Sequence, residues 1–191
     1  MVEGRSGITN NTPKRIMFGA GTIHKGLAYS EGGWNFAESL VGATNGGSKF
    51  SITPEVHKIA LDGANVNVKG LTVKVSETAE MEVNFGEFSK DLLTSAVLGE
   101  LGVSEDEAYD LIQSKADISE GDYWDNIAFV GRTVEGDNII VILENALCTS
   151  GFSSEGKAKA EGTTTIKFEC YQTLEGNHDI LPYKIYLPKE N

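Results

Sequence analysis

Apolar and polar side chains alternate with unusual regularity in the centre of the chain, over residues 73–85. A period of two residues predicts a β-strand with one buried face and one wet face. The wet face carries Glu80 and Glu82, while Glu77 is the one charge on the apolar parity. A polar face of this kind favours contact with water or with a charged solute.

A second strand is predicted just before this one. Its apolar residues change parity once, from even positions at Phe50, Ile52 and Val56 to odd positions at Ile59 and Leu61. A slip of one residue near His57 and Lys58 predicts a β-bulge that keeps both halves of the strand on one core. Asp-Gly at 62–63 and Lys-Gly at 69–70 favour turns, so the two strands form a hairpin.

Alternation also predicts strands elsewhere in the chain. A first strand covers residues 16–23, and further strands cover residues 125–133, 163–171 and 183–187, with Ile166, Phe168 and Cys170 inward and Thr165, Lys167 and Glu169 outward. Residues 139–143 form an uninterrupted apolar run, which is typical of a strand buried on both faces.

Two segments have the spacing of helices. Apolar residues recur every three or four positions over residues 88–97, and Gly99 is expected to end this helix. Ser104 and Glu107 have the spacing of a capping box, which predicts a second helix running to Lys115. The whole pattern predicts a mainly β protein, a β-sandwich or partly closed barrel with one or two flanking α-helices.

Composition limits the classes of function. The 191 residues are enough for a single domain, predicted at 13–191 after a mobile N-terminal arm at 1–12, with a loop or a weakly formed hairpin at 152–162. The formal net charge of −12 argues against a protein that binds phosphate groups, such as those of nucleic acids. No apolar run is long enough to span a bilayer and the start lacks a signal-peptide pattern, so synthesis in a cytoplasm is expected.

Candidate chemistry is sparse. Gly42 to Lys49 misses the order of a phosphate-binding loop, because Ser-Lys stands where Lys followed by Ser or Thr is needed. The three histidines lack partners at metal or triad spacing and are expected at the surface, and Cys148 and Cys170 are expected to be reduced core thiols. Glu80 and Glu82 have a spacing that a glycosidase could use, but acidic proteins contain such pairs by chance. We therefore expect no enzyme activity, cofactor or metal.

Several stretches resemble, in the same order, the tail tube (major tail) proteins of tailed bacteriophages. They are GATNGG at 42–47, DGA at 62–64 with VKG at 68–70, ETAEMEVN at 77–84, DYWDNIAFVG at 122–131, IIVILENAL at 139–147 and PYKIYLP at 182–188. Together these matches run through most of the chain between Pro13 and Pro188.

The resemblance implies a structural virion protein whose hexameric rings stack into a tail tube, the conduit for DNA ejection. The expected partners are other copies of the chain, a tape measure protein and tail terminator or initiator proteins, while DNA passes without specific binding and no membrane segment is involved. Parity and resemblance together make Glu80 and Glu82 candidates for the lumen. The alternative is a carbohydrate-binding or hydrolytic β-sandwich module, which needs an aromatic-lined cleft, whereas the aromatic residues are spread along the sequence.

Overall fold

A computed structural model describes residues 7–154 and 161–189 of the protein. Its strands are β1 (Met17–His24), β2 (Tyr29–Ser30), β3 (Gly33–Trp34), β4 (Leu40–Gly42), β5 (Thr44–Lys58), β6 (Thr72–Phe85), β7 (Gly99–Gly102), β8 (Leu111–Ser114), β9 (Trp124–Thr133), β10 (Asn138–Cys148), β11 (Thr164–Cys170) and β12 (Tyr183–Tyr186). Its α-helices are α1 (Thr12–Arg15), α2 (Phe36–Ser39) and α3 (Lys90–Ala96), and Glu120–Asp122 forms one 3-10 turn. The predicted mainly β class is confirmed.

Two of the predicted segments lie partly outside the described residues. These are the first half of the N-terminal arm at 1–12 and the middle of the loop at 152–162. The mobility of the arm stays a prediction. The last residue of the predicted arm, Thr12, is already the first residue of α1.

One large antiparallel sheet organises the chain. Its strands lie in the order β4-β1-β9-β10-β11-β6-β5, and β12 pairs with β10 beside this path. The pairs β2-β3 and β7-β8 form two small separate sheets. The large sheet is not closed into a barrel.

The sheet buries side chains on both of its faces. On the inner face Ala79, Met81, Val83 and Phe85 of β6 are all fully buried, as the alternation predicts. The sheet curls so that β1 approaches β5, and Phe50 of β5 packs against Phe129 of β9 with ring centroids 5.7 Å apart. The inner face therefore wraps around the main core.

The outer face of the sheet is covered over only part of its area. Ala128, Val130, Ile140 and Ile142 form a second core under Leu27, with Trp34 and Phe36 packed against it. Strand β10 thus contributes alternate residues to both cores, which confirms the prediction for residues 139–143.

Helix α3 closes one end of the main core. Ser89 is its N-cap, accepting a hydrogen bond from the Leu92 amide at 3.3 Å, and Leu92 and Ala96 are buried. The predicted helix is confirmed, but Gly99 does not end it. Leu98 takes the left-handed conformation, with φ of 48°, and Gly99 is already the first residue of β7.

The second predicted helix is wrong. The hydroxyl of Ser104 accepts a hydrogen bond from the Asp106 amide and donates one to the Asp106 carbonyl, while the Asp106 carboxylate accepts from the Ala108 amide. Such local bonds compete with a helix. The chain turns here, and Leu111–Ser114 returns as β8 to pair with β7.

The β5-β6 hairpin is confirmed, but its far half differs from the prediction. The bulge lies where Glu55 pairs with Ser76 and Val56 pairs with Lys74, so the extra residue is Val75 on β6 and not one near His57. Strand β5 ends at Lys58, which leaves Ile59 and Leu61 in the connecting loop. Val56, Ile59 and Leu61 are exposed, because the hairpin runs past the end of the core.

Candidate functional site

The outer face of β6 carries the predicted charged side chains between two neighbouring strands. Register places Glu82 between Lys49 of β5 and Lys167 of β11. One pair further along, Glu80 lies between Ser51 and Glu169. Sequence parity identified each strand's outward residues but could not supply this cross-strand register, so it missed the grouping of Glu169 with Glu80.

Two lysines on this face, Lys49 and Lys167, offset part of the negative charge of its three glutamates. The Lys167 ammonium lies 2.6 Å from a carboxylate oxygen of Glu80, and this hydrogen bond raises the pKa of Lys167. Glu80 and Glu169 are like charges directly opposite each other, a destabilising arrangement that Lys167 relieves. Glu82 faces the same wet surface without an ion pair in the part of the chain that the structure describes. That the surface faces a lumen stays a prediction.

The same wet face is tied together by neutral hydrogen bonds at its other end. Thr165 donates to the Asn84 side-chain oxygen at 2.6 Å, and the Asn84 amide donates to the carbonyls of Gly46 and Gly47. These contacts fix β6 between β11 and the start of β5. The face is therefore a solvated, hydrogen-bonded surface and not a cleft around paired carboxylates.

The far half of the β5-β6 hairpin leaves apolar side chains in solvent. Val56, Val66, Val73 and Val75 are all exposed. Glu77, the charge on the apolar parity, has a nearly buried side chain that pairs with Lys74 at 2.8 Å and accepts a hydrogen bond from the Tyr183 hydroxyl. Glu77 thus marks the point where the core ends and the projecting part of the hairpin begins.

Strand β5 also forms an open edge of the large sheet. It is 15 residues long and pairs only with β6 in the described sheet. Pro54 lies opposite Glu77 inside this pairing and has no N–H to donate. Because backbone groups in an antiparallel pair point alternately to the partner and away, residues of the Pro54 parity present their backbone groups to the open side.

A hydrogen-bonded row of buried polar side chains lies where β1 pairs with β4. His24 is only 3% exposed, with its Nδ1 2.9 Å from the Ser39 hydroxyl and its Nε2 2.8 Å from the Thr22 hydroxyl. Ser39 donates to the Asn35 carbonyl, so Ser39 accepts from Nδ1–H and Nε2 accepts from Thr22. Burial lowers the pKa of His24. The expectation of a surface histidine is wrong here, although His57 and His178 are exposed as predicted.

Four aromatic residues meet on the outer face, three from positions 29–36 and the fourth, Tyr186, from the other end of the chain. Trp34 contacts Tyr29, Phe36 and Tyr186, with ring centroids 5.4, 6.3 and 5.1 Å apart. The two tyrosine contacts are edge-on, as aromatic pairs prefer. The aromatic residues are therefore not as dispersed as their sequence positions indicated.

Other chemistry is limited in the described residues. They contain no cluster of three or more metal-ligating side chains. Cys148 and Cys170 are buried free thiols, as predicted, and burial raises the pKa of Cys170 to about 11, which keeps it protonated. Among the helices in the described part of the chain, none is long and apolar enough to cross a membrane.

Comparison with known proteins adds no assignment, since no family model and no curated protein matches this chain.

Proposed function

We propose that this protein is a structural subunit that assembles with copies of itself into stacked hexameric rings, forming a tail tube of the bacteriophage type. The observation that carries the proposal is the β5-β6 hairpin, which leaves the core with its apolar side chains uncovered. The resemblance of the sequence to tail tube proteins is the reason for choosing this assembly among others.

Uncovered apolar residues on one projecting element favour a protein interface. Single exposed apolar residues are ordinary, but several of them on one projecting element favour contact with another molecule. Burying one such valine is worth about 1.5 to 3 kcal/mol, so a hairpin carrying several can supply much of a subunit contact.

The long open edge of β5 supports the same proposal. An unpaired edge of this length can accept a strand from a neighbouring copy, and natural proteins that stay monomeric usually block it. Pro54 is one such block, but it covers a single position in the strand. The rest of the edge, apart from the stretch that β1 approaches, is open to pairing within a ring.

In the proposed tube, DNA passes through without specific binding, because an acidic chain gives a lumen that repels phosphates. The subunit then belongs to the virion tail, with a tape measure protein and tail terminator or initiator proteins as partners. Glu80 and Glu82 remain our candidates for lumen-facing residues.

Substituting Val56→Pro tests the contribution of the open edge. Val56 shares the parity of Pro54 on β5, so its N–H points away from β6 and the hairpin pairing keeps its hydrogen bonds. Proline removes one intersubunit donor, a loss of about 0.5 to 1.5 kcal/mol for each contact, and adds a steric block. Rings or tubes seen by electron microscopy should become rare, while the monomer's circular dichroism stays unchanged.

Val56→Thr is the matched control, because threonine keeps the N–H and the strand propensity. It should assemble far better than Val56→Pro. A wild-type protein that remains monomeric at high concentration and with its tail partners present would contradict the proposal.

A carbohydrate-binding module is the second candidate, and the aromatic cluster around Trp34 is the observation that favours it. Sugar rings stack on exposed aromatic faces, but the tyrosines pack edge-on to Trp34 and the cluster shields part of its own surface. Retention of the protein on bacterial polysaccharide columns, lost on Tyr29→Ala, would favour this candidate over the first.

A further inference from the structure

The outer face of the large sheet contains an open pocket of about 490 Å³. The pocket lies beside the part of this face that Leu27, Trp34 and Phe36 cover. Phe18, Phe36 and Leu40 form apolar parts of its lining. Phe18 is 77% exposed, an unusual state for a phenylalanine in a strand.

Arg132 gives this apolar pocket a positive charge. Register places Arg132 of β9 between Phe18 of β1 and Asn138 of β10, and all three residues line the pocket. Within the described residues, the ion pairs of the protein do not include Arg132. A cation beside apolar walls fits an apolar side chain that is followed by a carboxylate.

The turn at residues 61–64, in the loop that joins β5 to β6, is called the hairpin tip. We infer that the pocket receives the hairpin tip of a second copy, with Leu61 against its apolar walls and Asp62 beside Arg132. The inference rests on the proposed self-assembly and names one contact within it. Leu61 is 56% exposed and Asp62 is exposed, so both are available to a neighbour.

The shape of the hairpin tip supports this occupant. The Ala64 amide donates to the Leu61 carbonyl at 3.1 Å, and Gly63 takes φ of 87°, as the third residue of a type II turn requires. A preformed turn loses little conformational freedom when it binds. The six residues 53–58 beyond the last core contact of β5 extend about 20 Å, which is enough to enter a neighbouring molecule.

The contact predicts the geometry of the assembly. The residues that line the pocket come from outside the β5-β6 hairpin, so the tip and the pocket are different surfaces. Two different surfaces make a head-to-tail contact, and repetition of such a contact closes a ring or extends a filament. A two-fold dimer is not the expected product.

A charge-reversal cycle tests the inference in the full chain. Asp62→Arg and Arg132→Glu should each weaken self-association at least about tenfold, because like charges then face each other across the contact. The double variant should return to within about threefold of wild type if the two residues couple directly. Sedimentation velocity over a concentration series measures all four proteins, and circular dichroism shows that each is folded.

Glu175→Arg is the matched control, since Leu174 and Glu175 also place an exposed leucine before an acid in a turn. It should associate like wild type and should not rescue Arg132→Glu. Rescue by Glu175→Arg would overturn the inference and give the pocket a different occupant.

Cross-linking provides a second test that does not depend on complete rings. A mixture of Asp62→Cys and Asn138→Cys proteins should give a disulfide-linked heterodimer on mild oxidation, while the buried Cys148 and Cys170 should not react. Self-association without sensitivity to Arg132→Glu and without this cross-link would overturn the inference alone. A protein that is monomeric and uncross-linked under every condition would overturn the inference and the proposed function together.

Discussion

At the scale of single residues, protonation of His24 should destabilise the protein. Burial lowers the pKa of the folded-state imidazole below its ordinary value, so the unfolded chain binds the proton more readily. The free energy of unfolding should therefore be fully retained above about pH 6.5, the unperturbed pKa, and should fall as the pH drops below it towards the folded-state value. Urea midpoints measured from pH 8 to pH 5 show the slope.

A His24→Gln variant should lose stability overall but also lose this part of the pH dependence. His57→Gln is the control for the loss of an imidazole elsewhere in the protein, because His57 is exposed on β5. An identical slope in wild type and His24→Gln would contradict the assigned role of burial.

The burial of His24 could not be predicted from its neighbours along the chain. Its environment is assembled from Thr22, two positions away on β1, and from Ser39, which comes from α2. Only the pairing of His24 with Leu40 of β4 places these groups together. A histidine without spaced partners is usually a surface residue, and here the fold supplies the partners.

At the scale of elements, alternation predicted strands well wherever one face is wet and the other is dry. Strands β6 and β11 show this, since their parity matches burial residue by residue over the core. The failures are at residues 104–115 and in the far half of the hairpin. A capping-box spacing is a local signal that a turn can also satisfy, and parity cannot show where the core under a strand ends.

Ser89 caps a helix, whereas Ser104 lies in a turn where a helix was predicted. Ser89→Ala removes the N-cap of α3 and should lower the free energy of unfolding by about 1 kcal/mol. Ser104→Ala affects an exposed turn and should change it by less than about 0.5 kcal/mol. Chemical denaturation of both variants under one condition measures the difference. A larger loss for Ser104→Ala than for Ser89→Ala would contradict the different roles assigned to the two serines.

At the scale of the whole molecule, the order of the strands could not be read from the sequence. Strand β10 pairs with β9, β11 and β12. Strand β6 pairs with β11, although α3, β7 and β8 lie between them in the sequence. Such pairings depend on which faces fit together after the chain has folded. For the same reason the Arg132 pocket and the Trp34 cluster lie outside what residue patterns predict. Those patterns did predict β1, β9, β10 and β12, but not β4, which contributes Leu40 to the pocket.

Sequence parity and the family resemblance together suggested that the charged face of β6 lines the lumen of the assembly. Replacing both Glu80 and Glu82 by lysine would mix two effects, because the new lysine at position 80 would face Lys167, where an ion pair now lies. Glu82→Lys leaves the ion pair between Glu80 and Lys167 in place. It sets a lysine between Lys49 and Lys167, so the thermal stability of the variant is measured before its assembly. Each substitution changes the charge of the subunit from one negative to one positive at this site, and the proposed hexamer repeats that change in every copy.

If that face lines the lumen, rings of Glu82→Lys should assemble normally but hold DNA, because lysines neutralise phosphates and each contact strengthens binding and its salt dependence. DNA ejection from particles carrying the variant should be slower at low salt and recover as salt is raised. Glu105→Lys, a reversal in the exposed turn after β7, is the matched control and should leave ejection unchanged. Equal ejection rates for wild type and Glu82→Lys across the salt series would place the β6 face on the outer wall or within a subunit contact, because a charge reversal inside a narrow acidic channel cannot be silent to passing phosphates.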